Sequence, residues 1–190
     1  LAQILAEIER GTYIEPAKLT VAEYLERWLR DRAAVAVRPT TLEGYEAVVR
    51  CHLIPALGRI PLPKLTPLHV QQLYRDMLDK GLSPRTIRLT HAVLRQALAQ
   101  AVKWGLLGRN VCDGVELPRQ ERREMRVLTP EEAGRFLEAA RGERLEALWV
   151  LALTTGMRKG ELLGLRWQDV DLERGTVQVT QALVKVRGRA

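Results

Sequence analysis

The sequence predicts a mainly α-helical protein, a four-helix domain followed by the start of a mixed α/β unit, and three observations predict it. Apolar residues recur at helical spacing through four segments between Thr20 and Trp104, each opened by a capping or proline signal. From Gly105 to Met125 the chain carries Gly, Asn, Asp, Pro and clustered charges with no apolar period, as a linker does. After a turn signal at Asp171 to Gly175, Val177 and Val179 alternate with Gln178 and Thr180, which is the period of a strand.

The elements follow in order. Leu1, Ile4, Leu5 and Ile8 give residues 1–18 the pattern of a helical connector. Thr20 and Glu23 form a capping box for a first helix with Val21, Leu25, Trp28 and Leu29 on its apolar side. Pro39, Thr40 and Glu43 start a second, carrying Leu42, Tyr45, Val48 and Val49 and running out near Pro55 and Gly58. Thr66 and Pro67 open a third, with Val70, Leu73, Tyr74, Met77 and Leu78 on one side and Gly81 at its C-terminal end. Ser83 and Pro84 start a fourth that runs to about Trp104. The domain is expected over residues 19–107, a basic linker over 108–126 and a second unit over 127–190.

The second unit opens with Thr129, Pro130 and Glu132, another capping box, and its first helix should bury Ala133, Phe136, Leu137 and Ala140. A helix from Leu145 to Thr154 is apolar nearly all round, so it is expected deep in a core. A short helical turn, Arg158 to Leu163, precedes the strand, which has no partner in sight, and the chain closes in what reads as the turn of a hairpin. One strand with two or three helices is an unfinished α/β domain, so the unit is expected to be truncated.

Composition narrows the function. A chain of 190 residues, 46% hydrophobic and 28% charged, has the make-up of a globular protein with a core. Its longest apolar run, Ala147 to Leu153, is too short for a membrane span, and no signal-peptide pattern opens the chain. Two cysteines, Cys51 and Cys112, supply neither a metal quartet nor a disulfide framework, which fits a cytoplasmic protein with no metal site. The net charge of +7 favours a polyanion as partner. From Lys80 to Cys112 there is no Asp or Glu, while six Lys or Arg fall there.

In the fourth helix, Arg85, Arg88, Ala92, Arg95, Ala99 and Lys103 fall on a stripe roughly 80° wide at 100° per residue. Ile87, Leu94, Leu98 and Ala101 lie opposite. Small residues between basic ones would let the helix approach a DNA groove, with Arg or Lys reaching phosphates or base edges; a solvated basic face is the plainer alternative. Arg38, Thr40 and Thr41, at the start of the second helix, are candidates for holding a phosphate against backbone N–H groups, and for the threonines plain helix capping is the simpler role. In the second unit a buried helix ends at Gly156 and a charge follows at once. Arg158 is expected to have few solvent contacts there, with Glu161 three residues on within reach of its guanidinium. Such an arginine suits stabilisation of a phosphate in a transition state; spacing alone equally describes a structural ion pair.

The stretch Thr155-Gly156-Met157-Arg158-Lys159-Gly160-Glu161-Leu162-Leu163-Gly164-Leu165 closely resembles the first-arginine motif of the tyrosine recombinases, the phage-integrase family. Trp167-Gln168-Asp169-Val170-Asp171 resembles the segment that trails it. Tyr45, His52-Leu53-Ile54-Pro55-Ala56-Leu57-Gly58 and Gly81-Leu82-Ser83-Pro84-Arg85-Thr86-Ile87 are similar to that family's SAM-like core-binding domain, and Leu128-Thr129-Pro130-Glu131-Glu132 to the opening of its catalytic domain. The family's usual Asn-Pro in the linker is Asn110-Val111 here.

The resemblance implies an enzyme that cuts and rejoins double-stranded DNA through a 3′-phosphotyrosyl link, without metal or nucleotide cofactor, as a homo-tetramer on two DNA sites. It makes Arg158 the first catalytic arginine and Glu161 the acid that positions it. The nucleophilic tyrosine and the other catalytic groups are expected beyond Ala190, and Lys185 falls in the strand's continuation rather than in the turn where the family's lysine sits. The chain is therefore expected to be a DNA-binding fragment unable to cleave by itself. A non-catalytic DNA-binding protein or regulator of a recombination site is the main alternative, and a four-helix protein-interaction module a more distant one.

Overall fold

The computed structural model describes residues 19–120 and 124–185, in two units that divide between Glu121 and Arg122. The expected connector over 1–18 and the closing hairpin turn lie outside the described residues.

In the first unit α1 spans Val21–Trp28, and its capping box is formed as expected: Glu23 N donates to Thr20 Oγ1 at 3.3 Å while Glu23 Oε2 accepts from Thr20 N at 2.8 Å. The helix does not stop at Trp28. It passes through a wider π-type turn, Leu29–Ala33, and a short tail, Ala34–Ala36. The second helix, α2, spans Pro39–Val48, continues as a π-type turn over Val49–Leu53, and ends in Ile54–Leu57. Pro55 accounts for that turn: it has no N–H to donate and its ring crowds the carbonyl four residues back. Widening the helix just before it, with Ile54 N donating to Val49 O, relieves the clash without ending the helix.

The third helix, α3, spans Pro67–Asp79 and α4 spans Pro84–Lys103. Both start with proline behind a hydroxyl cap, Thr66 Oγ1 accepting from His69 N and Ser83 Oγ from Thr86 N. Between them Gly81 takes φ +76°, a left-handed turn that L side chains resist. The chain entering α1 pairs with the segment before α3, Val21 N donating to Ile60 O and Leu62 N to Leu19 O.

All four helices converge on one core. Val21, Tyr24 and Leu25 of α1 meet Ile87, Leu94 and Leu98 of α4, with Leu53, Val70 and Tyr74 beside them. Tyr24 Oη donates to the Ala97 carbonyl inside that core. Trp28 stacks on Tyr45, their rings 5.6 Å apart, and Tyr45 Oη reaches Gln96 Oε1 at 2.8 Å. Tyr74 Oη and His91 Nδ1 lie 2.9 Å apart.

The stretch after α4, expected to be linker, is docked over its first half. Val111 and Cys112 are buried in the same core, and Leu106, Leu107, Val115 and Leu117 pack against it. Asn110 caps a tight turn, Val111–Gly114, by accepting from Cys112 N, and Gln71 bonds Glu116 N and O with its side-chain amide. No apolar period betrays these contacts because they come from a turn rather than a helix.

In the second unit α5 spans Pro130–Ala139, α6 Glu146–Thr155 and α7 Lys159–Leu163. The Thr129–Glu132 capping box is formed. The expectation of a deeply buried helix is not met: no residue of α6 is buried, and Trp149, Val150 and Leu153 are exposed. The α5 stripe is likewise only partly covered; Ala140 is buried while Phe136, edge-on to Trp149, stays exposed. Apolar character on every side of α6 exceeds what α5 and α7 can cover. The strand also has a partner. Val170–Asp171 (β1) pairs antiparallel with Thr176–Val177 (β2), closed by a turn with Gly175 at φ +63°. Among the described residues no helix is long and apolar enough to cross a membrane.

Burial lowers the pKa of His91, Arg95 and Arg88 add to the effect, and Asp113 opposes it. A lowered imidazole stabilises the fold fully above the ordinary histidine value of about 6.5, and the contribution is lost as pH falls through the folded value. Thermal melts at pH about 7.5, 6.5 and 5.5 should show falling stability of the helical unit, and His91→Gln should flatten that trend.

Candidate functional site

The fourth helix presents two opposite sides, as its sequence requires. Ile87, Leu94, Ala97, Leu98 and Ala101 have no exposed surface, and Arg85, Arg88, Ala92, Arg95 and Lys103 face solvent. Ala99, between Arg95 and Lys103, is half-buried. Among the described residues no carboxylate lies in ion-pair range of Arg85, Arg88 or Lys103. Arg95 differs, because Asp113 Oδ1 lies 2.9 Å from its Nη2. Leu89, also exposed, and Gln96 border the stripe. The result is a cationic ridge fixed to the core along its whole length, the form a groove-binding helix needs.

At the start of α2, Arg38 is the N-cap residue and makes no side-chain cap bond. Thr40 and Thr41 are exposed, and among the described residues neither hydroxyl has a hydrogen-bond partner, so the simpler role of capping is not the one they play. The first turn carries no acid and Pro39 has no N–H; Thr41 N and Leu42 N both donate to Arg38 O, so among the described residues Thr40 N is the donor of this turn left open. These three residues and the α4 stripe belong to the same unit.

The second unit holds the other candidate group. Gly156 ends α6 with φ +66°, and Arg158 follows in extended conformation as the N-cap of α7. One carboxylate fixes it twice: Glu161 Oε2 accepts from Arg158 N at 2.8 Å and Glu161 Oε1 from Arg158 Nη1 at 2.9 Å. The backbone N–H of Arg158, then its side chain, hold the Glu161 carboxyl below its ordinary range. The expectation that Arg158 has few solvent contacts is corrected: its side chain is 87% exposed and that of Glu161 20%. The short α7 covers only the acid, because the arginine precedes the helix and points off its end. An exposed guanidinium steered by a fixed carboxylate keeps Nε and Nη2 open to an anion.

Sequence reading missed the residues that hold α7 in place. The chain from Gln181 to Leu183 lies against it backbone to backbone, with Leu183 N donating to Gly160 O and Gln181 Nε2 to Gly164 O, each at 2.7 Å. A Cβ on Gly160 would stand 2.9 Å from Leu183 O, and one on Gly164 2.9 Å from Leu183 N. Asp169 organises the hairpin: Arg166 Nε donates to it at 2.9 Å, Thr180 Oγ1 at 3.2 Å, and its own carbonyl accepts from Gln178 N. The Arg166 hydrogen bond, followed by its charge, keeps the Asp169 carboxyl low against the opposing effect of burial. The spacing of Arg166 and Asp169 was a readable signal; the glycine contacts were not, since their partners lie about twenty residues away.

Comparison with known proteins places the chain. A description of the phage integrase N-terminal SAM-like domain matches residues 20–78, and one of the phage integrase family matches residues 126–189. An integrase of Saccharopolyspora erythraea is 33% identical over 166 residues, covering 86% of this chain and 38% of that protein. The Tn1549 transposon integrase, solved in complex with circular intermediate DNA, is 26% identical with a TM-score of 0.77, over 90% of this chain and 57% of that one. An integrase-like domain from Bacillus cereus is 35% identical with a TM-score of 0.52, over 58% of this chain and 93% of that domain. The chain belongs to the phage integrase family, the tyrosine recombinases. It spans well under half the length of the Saccharopolyspora relative.

Since α7 has no room for a Cβ at Gly164, Gly164→Ala should push the Gln181–Leu183 segment off the helix. Hydrogen exchange at the Leu183 amide should quicken by about tenfold or more, while amides of α4 keep their protection.

Proposed function

We propose that this chain is the duplex-DNA-binding part of a site-specific recombinase, comprising the core-binding domain, the linker and the opening of the catalytic domain. The observation that carries the proposal is the α4 ridge, where Arg85, Arg88 and Lys103 have no ion-pair partner among the described residues, on a helix whose other side is the core. A rigid helix with spaced cations and small residues between them can lie along a groove, with phosphates setting its register and one or two side chains reading bases. Arg38, Thr40 and Thr41 offer a second phosphate contact through the Arg38 guanidinium, the two exposed hydroxyls and the Thr40 N–H.

In the proposed full-length enzyme Arg158 donates to the scissile phosphate and Glu161 fixes its direction, so that positive charge is in place before the phosphoryl group transfers. In this proposal the attacking tyrosine comes from outside this chain, since its four tyrosines, Tyr13, Tyr24, Tyr45 and Tyr74, all precede the second unit. Tyr24 and Tyr74 are buried with their hydroxyls bonded internally, and Tyr45 is bonded to Gln96. No step calls for a metal or nucleotide, and the proposed enzyme acts as a homo-tetramer on two DNA sites.

Two tests follow from this proposal. With about five Lys or Arg on phosphates, log K for duplex binding should fall against log salt with a slope of about −4 to −5, and Arg88→Ala should cost roughly 1–3 kcal/mol on a selected target but less on random duplex. Salt-independent binding would contradict the proposal.

For the second, residues 1–190 should give no covalent adduct with a nicked suicide substrate. In the full-length enzyme Arg158→Ala should abolish the adduct with duplex affinity kept within about tenfold. Adduct formation that survives the substitution returns Arg158 to a structural role.

A further inference from the structure

The acid-free run from Lys80 to Cys112 ends at Asp113, and that carboxylate turns back onto the basic ridge. Asp113 Oδ1 accepts from Arg95 Nε at 3.0 Å and lies 2.9 Å from Nη2. These are donors of the guanidinium fork, the group that would meet a phosphate. Arg95 is thereby the exception on the α4 ridge, every other cation of the stripe being open among the described residues.

The turn bearing Asp113 is held in place without it. Val111 and Cys112 are buried in the core, Asn110 Nδ2 donates to the Arg95 carbonyl at 2.9 Å, and Gln71 bonds Glu116 twice. The carboxylate is therefore presented at a fixed place and gives up little freedom in pairing. Both side chains are 57% exposed, so water screens the pair and a stronger anion can displace it.

We infer that Asp113 is an intramolecular competitor of DNA phosphate for Arg95, which lowers affinity for duplex of arbitrary sequence. The inference rests on the proposed binding of duplex by α4. A duplex approaching the ridge meets open cations at Arg85, Arg88 and Lys103. At Arg95 it must first displace a carboxylate, which then remains nearby as a repelling charge. When the pair opens, the turn stays docked through Asn110, Val111 and Cys112, so the exchange is a side-chain event rather than local unfolding.

The test is a double-mutant cycle on the full chain, using Asp113→Asn, Arg95→Ala and both together, titrated with a mixed-sequence duplex across a range of salt. Asn keeps the shape of Asp113 and removes its charge. Asp113→Asn should tighten binding by about three- to tenfold at low salt and steepen the salt slope by about one. In the Arg95→Ala background the same change should alter affinity by less than about twofold. A gain of equal size with and without Arg95 would show a mere net-charge effect and overturn the inference. So would weaker or unchanged binding by Asp113→Asn. If none of the four proteins binds duplex in a salt-dependent way, the DNA-binding proposal fails and takes this inference with it. Salt-dependent binding with no Asp113 coupling overturns this inference alone.

Discussion

Burial of one side of α4 sets the terms for the helical unit. Ile87, Leu94, Leu98 and Ala101 are sealed by α1, by the α2 continuation at Leu53 and by the docked turn at Val111, so the helix can neither roll nor slide. A side chain at 100° per residue has no choice of direction once its neighbours are fixed, and the cations face outward because the leucines face inward. Tyr24 Oη on the Ala97 carbonyl and Tyr45 Oη on Gln96 add directional bonds to that packing. An anion that such a helix contacted would meet side chains whose ordering was completed during folding, which is the sense in which a rigid scaffold favours binding.

The second unit works by different means. Its apolar helix is half-covered, and its order comes from polar and backbone contacts: the Arg166–Asp169–Thr180 cluster, the backbone seam between α7 and Gln181–Leu183, and Glu161 on Arg158. These hold a five-residue helix whose own propensity would not keep it formed. Arg158 owes its direction to a carboxylate two bonds deep in that arrangement rather than to burial.

What was legible in the sequence was local. Capping boxes at Thr20 and Thr129, proline after a hydroxyl at Thr66 and Ser83, and glycine after α3 act within a few residues, so each helix start could be placed from neighbours alone. The basic stripe was legible because one helix carries it entire. The π-type turn of α2 was not, since it answers to Pro55 and to packing together. The pairing of Arg95 with Asp113 was hidden by a separation of eighteen positions and by a turn without apolar period. The solvent exposure of Arg158 depended on which side the short α7 would cover, and an apolar run such as Ala147 to Leu153 predicts burial only if enough partner surface is present.

The two cysteines sit at opposite extremes of the same unit. Cys51 lies exposed on the π-type turn of α2, while Cys112 is 2% exposed under the docked segment, its thiol pushed up to about 12 mainly by burial. A thiolate-seeking reagent therefore distinguishes them by accessibility, and the raised thiol of Cys112 slows its reaction further. Labelling at Cys51 proceeds on the folded protein, whereas labelling at Cys112 waits for the turn to lift from α4. The chain thus carries an internal chronometer for opening at the boundary where the helical unit hands over to the next.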